Sequence, residues 1–308
     1  MSDAFLIDVP ALHRHRHRAA RGALPGVDFL LREAARDVAL RLSTIKRVFS
    51  SAVDLHAMGP IVRDILRESG QCERVFSSAI PAFAGHNFSI HEPVDIVSSD
   101  HLVPFANQSV DLAVSLLALQ FLNDIPGMLI QIRRALKPDG LFLGAFLGGQ
   151  TLQELRQSFL LAEAEITGGA RARILPFADV RDGGGLLQRA GFSLPVADSD
   201  RLTVRYDSAL DLMRDLRAMG AQNCLRDRQR GLMRQDVLAR TLAIYARDHS
   251  DPDGRVRATF EIISISGWAP HESQQKPLRP GSAKVRLADV LGRIAGDPAD
   301  GDQGRVRS

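Results

Sequence analysis

The stretch from Val110 to Phe146 restricts the fold of this chain more than any other segment. Val110-Asp111-Leu112-Ala113-Val114 reads as a strand entering a buried sheet, because strands covered on both faces are near-continuously apolar. Asn123-Asp124-Ile125-Pro126 then supplies an N-cap and a first-turn proline for a helix through Leu136. Lys137-Pro138-Asp139-Gly140 predicts a turn, and Leu141 to Phe146 a second strand. Strand, helix and strand joined so closely imply a parallel pair with the helix on one face.

The same alternation begins earlier. Ser51 to Leu55 reads as a strand, Gly59-Pro60 as a turn and Ile61 to Glu68 as a helix, followed by brief strands at Arg74-Val75-Phe76 and Val94 to Val97. The expected architecture is α/β, a doubly wound and mostly parallel sheet. Ahead of it, Phe29, Leu30, Leu31, Ala34, Ala35, Val38 and Leu42 recur at helical spacing after the Pro25-Gly26 boundary. The run His13-Arg14-His15-Arg16-His17-Arg18 alternates its residue types. Alternate positions lie about 200° apart on a helix, so it reads as a solvated basic arm rather than a metal tract.

In the second half, helices are predicted from Thr151 to Ile166 and from Gly185 to Ala190, the latter stopped by Gly191. Two strand pieces follow, Leu194 to Ala197 and Leu202 to Tyr206, then helices from Leu210 to Met219 and Val237 to Arg247, and a strand from Thr259 to Ser266. The expected division is an N-terminal arm and helix over 1–45, the α/β core over 46–206, a helical insertion with the final strand over 207–290, and a disordered tail over 291–308.

Composition removes several function classes. With 39 basic against 36 acidic residues the net charge is +3, too small for nucleic-acid binding driven by phosphate neutralisation. The longest uncharged apolar run, Leu112 to Leu122, is about half of what spans a bilayer. Two cysteines, Cys72 and Cys224, without a CxxC pairing form neither a disulfide framework nor a zinc cluster, so a reducing compartment is expected. Only four of the basic residues are lysines, a skew that a GC-rich genome explains more simply than selection for forked donors.

The segment Asp111 to Phe146, with Leu136-Lys137-Pro138-Asp139-Gly140 between helix and strand, resembles the second half of the class I S-adenosylmethionine (SAM) methyltransferase fold. Three further stretches resemble one branch of that superfamily, the complex I assembly factor that acts as a protein arginine hydroxylase. They are Gly144 to Arg156 (GAFLGGQTLQELR), Leu212 to Cys224 (LMRDLRAMGAQNC) and Gly267 to Gln274 (GWAPHESQ). The resemblance covers roughly residues 5 to 290. It implies a protein partner, the iron–sulfur subunit at the quinone site of NADH:quinone oxidoreductase, and modification of an arginine on it. The helices inserted before the final strand are expected to form a lid or docking surface. Mitochondrial relatives carry an acid-poor transit peptide ahead of the arm, whereas Asp3 and Asp8 stand in the first ten residues here, so a bacterial cytoplasm is the expected location, at the inner membrane face during assembly, or the matrix in a eukaryote.

The cofactor that the resemblance implies is SAM, and its expected contacts fall on Asp54, His56, Gly59, Ser99, Asp100, Leu116 and Gln120. Asp54 keeps the acidic position at the end of the first strand. In the superfamily alternate glycines follow it, because the cofactor lies against bare backbone. Here His56, Met58 and Pro60 stand at those glycine positions, with Gly59 displaced, and no residue from Ser77 to Pro81 supplies the acid that takes the ribose hydroxyls. Ser99 replaces the acid near the adenine, with Asp100 adjacent, and Gln120 stands where this branch has a histidine. Together these departures argue against ordinary SAM binding and leave enzyme and scaffold both open. A third class, the malonyl-carrier-protein methyltransferase of biotin synthesis, requires the intact glycine turn. No catalytic residue and no metal ligand set is assigned.

Other groups have competing readings. His56, at a carboxyl strand end, is an acid, base or ligand candidate, or simply fills the cofactor's volume. His86, His91, Glu92 and His101 fit no metal-ligand spacing and read as loop polarity. His271-Glu272-Ser273-Gln274 beside Trp268 reads equally as a pocket rim or a turn. Gly148-Gly149 offers backbone N–H groups to an anion, or is the end of a strand with Thr151 capping the next helix. Asp211, Arg214, Asp215 and Arg217 read as a solvated paired face before a partner surface.

Overall fold

The structure, a computed structural model, describes residues 5–22, 25–80 and 94–275. The loop histidines His86 and His91, with Glu92, and the 291–308 tail lie outside the described residues. Two helices lead, α1 (Val9–Gly22) and α2 (Phe29–Thr44). The alternating core follows as β1 (Ala52–Leu55), α3 (Ile61–Glu68), β2 (Val75–Ala79), β3 (Ile96–Val97), β4 (Val110–Leu116), α4 (Ile125–Ala135) and β5 (Leu136–Leu147). Then come α5 (Gln153–Thr167), α6 (Val180–Ala190), β6 (Ser193–Tyr206), the inserted α7 (Ala209–Ala218) and α8 (Gln235–His249), and β7 (Val256–Trp268). The strands form one sheet in the order β3-β2-β1-β4-β5-β7-β6. Every pairing from β3 to β5 is parallel, and β7 runs antiparallel between β5 and β6.

All seven residues of β4 are buried, as the apolar run requires. Alternation along a strand splits them between the faces: Leu112, Val114 and Leu116 join one core with Leu42, Leu66, Leu155 and Phe260, while Ala113 joins another with Leu129, Ile132, Phe142 and Leu187. The helix after β4 starts as expected, with the Asp124 carboxylate accepting the Gly127 N–H at 2.8 Å.

The basic arm is a correction. It is the helix α1, with Ala11, Leu12, Arg16, Ala19 and Ala20 buried along one side. The His-Arg alternation masked a leucine and alanine frame at helical spacing, and that frame carries Arg16 into the interior. The 137–140 segment is a bulge rather than a free turn: Val110 pairs with Leu136 and Leu112 with Leu141, so the residues between are pushed out of register, with Asp139 at φ +61°. Lys137 reaches from it to the Asp111 carboxylate at 2.8 Å. The two pieces expected at 194–206 are one continuous strand, β6. Helix α6 begins five residues before Gly185, because Asp179 and Asp182 form a capping box and Gly183 sits against Ile265 and Phe146, with no room for a side chain beyond close contact.

Candidate functional site

Strand order reverses between β1 and β4, and open α/β sheets bind ligands in the crevice at such a point. Asp54 and His56 reach it from β1, Ser115 and Leu116 from β4. His56 is 4% exposed, holds a left-handed φ of +60°, and its Nδ1 lies 3.2 Å from the Ser115 hydroxyl. The imidazole therefore bridges the reversal point. Burial pushes its pKa down to about 4 against the opposing field of Asp100, so the ring is neutral at pH 7. Asp54 is 1% exposed, and its Oδ2 has no hydrogen-bond partner among the described residues. Burial holds this carboxyl well above its ordinary range, with Arg63 pulling the other way.

Beside it, β2 ends in buried Ala79 with buried Ile80 next, neither side chain able to accept from a diol. On the outer side Arg63 of α3 bonds the Ser77 hydroxyl and the Asp95 carboxylate, which also accepts the Ser77 N–H at 2.7 Å. Gly59 takes φ +126° and Pro60 leads into α3 without a donor. Ser99 is exposed and Asp100 half-buried on the loop after β3; Leu116 is buried at the end of β4. The structure brings Asp54, His56, Asp100 and Leu116 to one end of the sheet and leaves Ser99 facing solvent. His101 is exposed beside Asp100, and among the described residues no three His, Cys, Asp or Glu side chains gather as a metal site.

A cavity of about 440 Å³ opens next to this crevice. Of the seven expected cofactor contacts only Gln120 lines it, its Nε2 donating to the Leu117 carbonyl at 2.8 Å and its Oε1 buried without a partner among the described residues. Met58, at a former glycine position, also faces it. Much of the remaining wall comes from α1, α2, α5, α7, Phe260 of β7, and the segments 173–177 and 219–233. Sequence reasoning missed Arg16 in this wall. It is fully buried, donates to the Met58 sulfur at 2.8 Å and stacks over Phe121 at 4.6 Å. The available signal was the Ala11, Leu12, Ala19, Ala20 frame, which places Arg16 on the inward face.

Two of the three signature segments converge here. Gly144 to Arg156 contributes Leu147, Thr151, Leu152 and Leu155, and Leu212 to Cys224 contributes seven residues including Met213, Leu216 and Arg217. The anion that the Gly148-Gly149 turn holds is the chain's own: Glu261 of β7 accepts the Gln150 N–H at 2.9 Å, and Thr151 is fully buried, exchanging hydrogen bonds with the Glu261 backbone. Thr151 is thus a strand-to-helix tie and not the cap of α5, whose flanking residue is Leu152 at φ +55°. Within the second segment, Gly220 at φ +69° packs against Arg16 and Ala19, so a Cβ there would lie 2.8 Å from Arg16 Cδ. On α7, Arg214 pairs with Asp211 at 2.7 Å as the solvated reading expects, and Arg217 turns to the cavity rim.

The pattern of the family described as Methyltransferase domain matches residues 77–144. The YcgJ protein of Bacillus subtilis has the same fold, with a TM-score of 0.53 at 13% identity over 77% of this chain and 99% of its own. Strand order, the reversal-point crevice and the domain match define a class I methyltransferase fold. The arginine hydroxylase NDUFAF5 of Danio rerio is 39% identical over 274 residues, covering 88% of this chain and 85% of that protein, and its Homo sapiens counterpart is 38% identical over 293 residues, covering 94% and 84%. This chain belongs to the NDUFAF5 family. A malonyl-[acyl-carrier protein] O-methyltransferase from Laribacter hongkongensis is 36% identical over 219 residues, 71% of this chain and 67% of that enzyme.

Proposed function

We propose that this chain acts in the assembly of respiratory complex I, on or with an iron–sulfur subunit as its protein partner, and that its working surface is the cavity side of the molecule rather than the adenosyl crevice. The observation that carries this reading is the placement of the family segments 144–156 and 212–224, which wall the cavity while His56, Met58 and Pro60 stand where glycines would clear the crevice. The residues present do not fit SAM in the superfamily's manner. An imidazole bridges the reversal point, side chains stand at the turn's three glycine positions, and no acid ends β2. A non-catalytic assembly role follows from that misfit. Arginine modification, if this chain performs it, has the crevice at the carboxyl ends of β1 and β4 as its site. The place of action is the compartment where complex I is built, the inner membrane face of a bacterial cytoplasm or the mitochondrial matrix.

Deleting the gene and assaying NADH:quinone oxidoreductase activity in membranes tests the reading, with purified protein titrated against SAM alongside. The expected outcome is loss of the activity, restored by the parent gene, and no heat of SAM binding at millimolar ligand. Normal oxidoreductase activity in the deletion strain overturns the assembly role. Micromolar SAM binding overturns the lapsed crevice and favours the carrier-protein methyltransferase reading.

A further inference from the structure

At about 440 Å³ the cavity falls in the ~300–1,000 Å³ range of small-molecule sites. Four of the chain's six methionines, Met58, Met213, Met219 and Met233, line it, beside leucines and phenylalanines. Unbranched thioether side chains repack around ligands of varied shape, so a wall rich in them suits an adaptable apolar site. The charges of the wall are engaged within the chain: Asp28 pairs with Arg32 at 2.7 Å, Arg173 with Glu163 at 2.8 Å and Arg228 with Asp8 at 2.7 Å, while Arg16 donates to Met58 and stacks over Phe121. Gln120 differs. Its Nε2 donates to the Leu117 carbonyl at 2.8 Å, and a reversed amide would set two acceptors against each other, so the atom left over is Oε1, buried with no partner among the described residues. Leu117 presents that carbonyl from a left-handed φ of +52°, a conformation that a leucine adopts only at a cost. The strained residue and the stranded acceptor thus sit together just past the end of β4, in the cavity wall. A buried acceptor without a donor is destabilising, and a ligand that brings the donor removes that penalty.

We propose that the cavity binds a neutral hydrocarbon chain capped by a hydrogen-bond donor, a hydroxyl or an amide N–H, with the chain against the methionine wall and the donor on Gln120 Oε1. A carboxylate brings no donor to that oxygen, and any charged head group loses its hydration in an apolar body. The proposal rests on the reading that the cavity side is the working surface, and names the chemistry the cavity takes.

The test is calorimetric titration of the full-length protein with the primary alcohols hexanol, heptanol and octanol, with heptyl methyl ether, an isomer of octanol that lacks the donor, and with octanoate. Expected is saturable octanol binding at one site, tightening about threefold to fourfold per added methylene. The ether and octanoate are each expected to bind about tenfold more weakly or worse. In Gln120→Met, octanol weakens by about tenfold while the ether binds as it does to the parent, which also shows that the cavity is still formed. Met213→Trp, which fills the cavity from α7, is expected to abolish binding of both. Equal binding of octanol and ether, no binding of octanol, or octanoate as tight as octanol overturns the proposal. So does a preference for alcohol over ether that survives in Gln120→Met, or octanol affinity unchanged in Met213→Trp. The readout is direct binding, so its failure leaves the oxidoreductase result of the deletion strain standing, and the reverse also holds.

Discussion

Two buried titratable groups at the end of β1 set opposite pH dependences. The Asp54 carboxyl has a folded pKa above its unfolded one, so the native state holds more protons and stability falls as pH rises from about 4 toward the folded value. His56 is the reverse: its folded pKa is about 4 against an unfolded ~6.5, so between these the unfolded chain binds more protons and stability rises with pH. Asp54→Asn is expected to leave stability near pH 4 almost unchanged and to raise it by about 1–3 kcal/mol at pH 8, because a buried oxygen without a donor no longer has to ionise. His56→Asn tolerates the left-handed φ and keeps a polar group toward Ser115. Relative to the parent it gains on the order of 2 kcal/mol at pH 4.5 and little at pH 7.5. Urea unfolding across pH checks both, and curves parallel to the parent's would refute the burial argument. The sequence placed both residues at a strand end, since strand, turn and helix signals bracket them. It could not show their closure of the crevice, which depends on Ser115, 59 positions away on another strand.

At the scale of elements, the turn from β5 into α5 is fixed by β7. Glu261 accepts from Gln150 N–H and from the Ser199 hydroxyl at 2.8 Å, Glu154 accepts from Thr259 N–H at 3.1 Å, and Arg156 donates to the Gly149 and Thr151 carbonyls. Glu261→Ala strands the Gln150 N–H and the Ser199 hydroxyl near the sheet, and a loss of about 2–3 kcal/mol is expected. Gly148→Ala puts a Cβ 2.5 Å from Glu261 Oε2 and is expected to cost about 1–3 kcal/mol by displacing that carboxylate. The double variant should cost less than the two single losses together, because alanine at 261 vacates the space; strict additivity in chemical denaturation would show that the two do not interact. Most elements were legible from apolar period and caps, but β6 was read as two pieces for a physical reason. Pro195 and the Asp198-Ser199-Asp200 run are poor strand formers, tolerated here because β6 is an edge strand whose pairing with β7 is irregular between Ser193 and Val196.

Across the whole molecule, the N-terminal helix is clasped to the inserted segment more than 200 residues later in the chain, and no local pattern announces that. Asp8 is the clasp. Its carboxylate caps α1 by accepting the Ala11 N–H at 3.0 Å and pairs with Arg228 at 2.7 Å, while its own N–H bonds the Cys224 carbonyl at 2.8 Å. Ile7 exchanges hydrogen bonds with the Asn123 side chain, tying the same stretch to the core. Because Arg16 and His15 line the cavity from α1, whatever loosens the clasp opens the cavity wall. The Arg228 contact holds the Asp8 carboxyl below its ordinary range, so this stabilisation is present above about pH 4 and is lost as pH falls through the lowered folded value. Asp8→Ala removes cap and ion pair together, about 1–2 kcal/mol of local stability. Hydrogen exchange is the fitting measurement, since local opening need not lower the global transition. Amides of 9–22 and 221–228 should exchange about tenfold faster in the variant at pH 7, with those of β4 and β5 unchanged. The difference from the parent should shrink as the pH is taken below 4. Uniform acceleration across the sheet would mean that the arm is part of the global folding unit, and unchanged exchange in 9–22 would mean that buried Leu12, Ala19 and Ala20 hold it without the clasp.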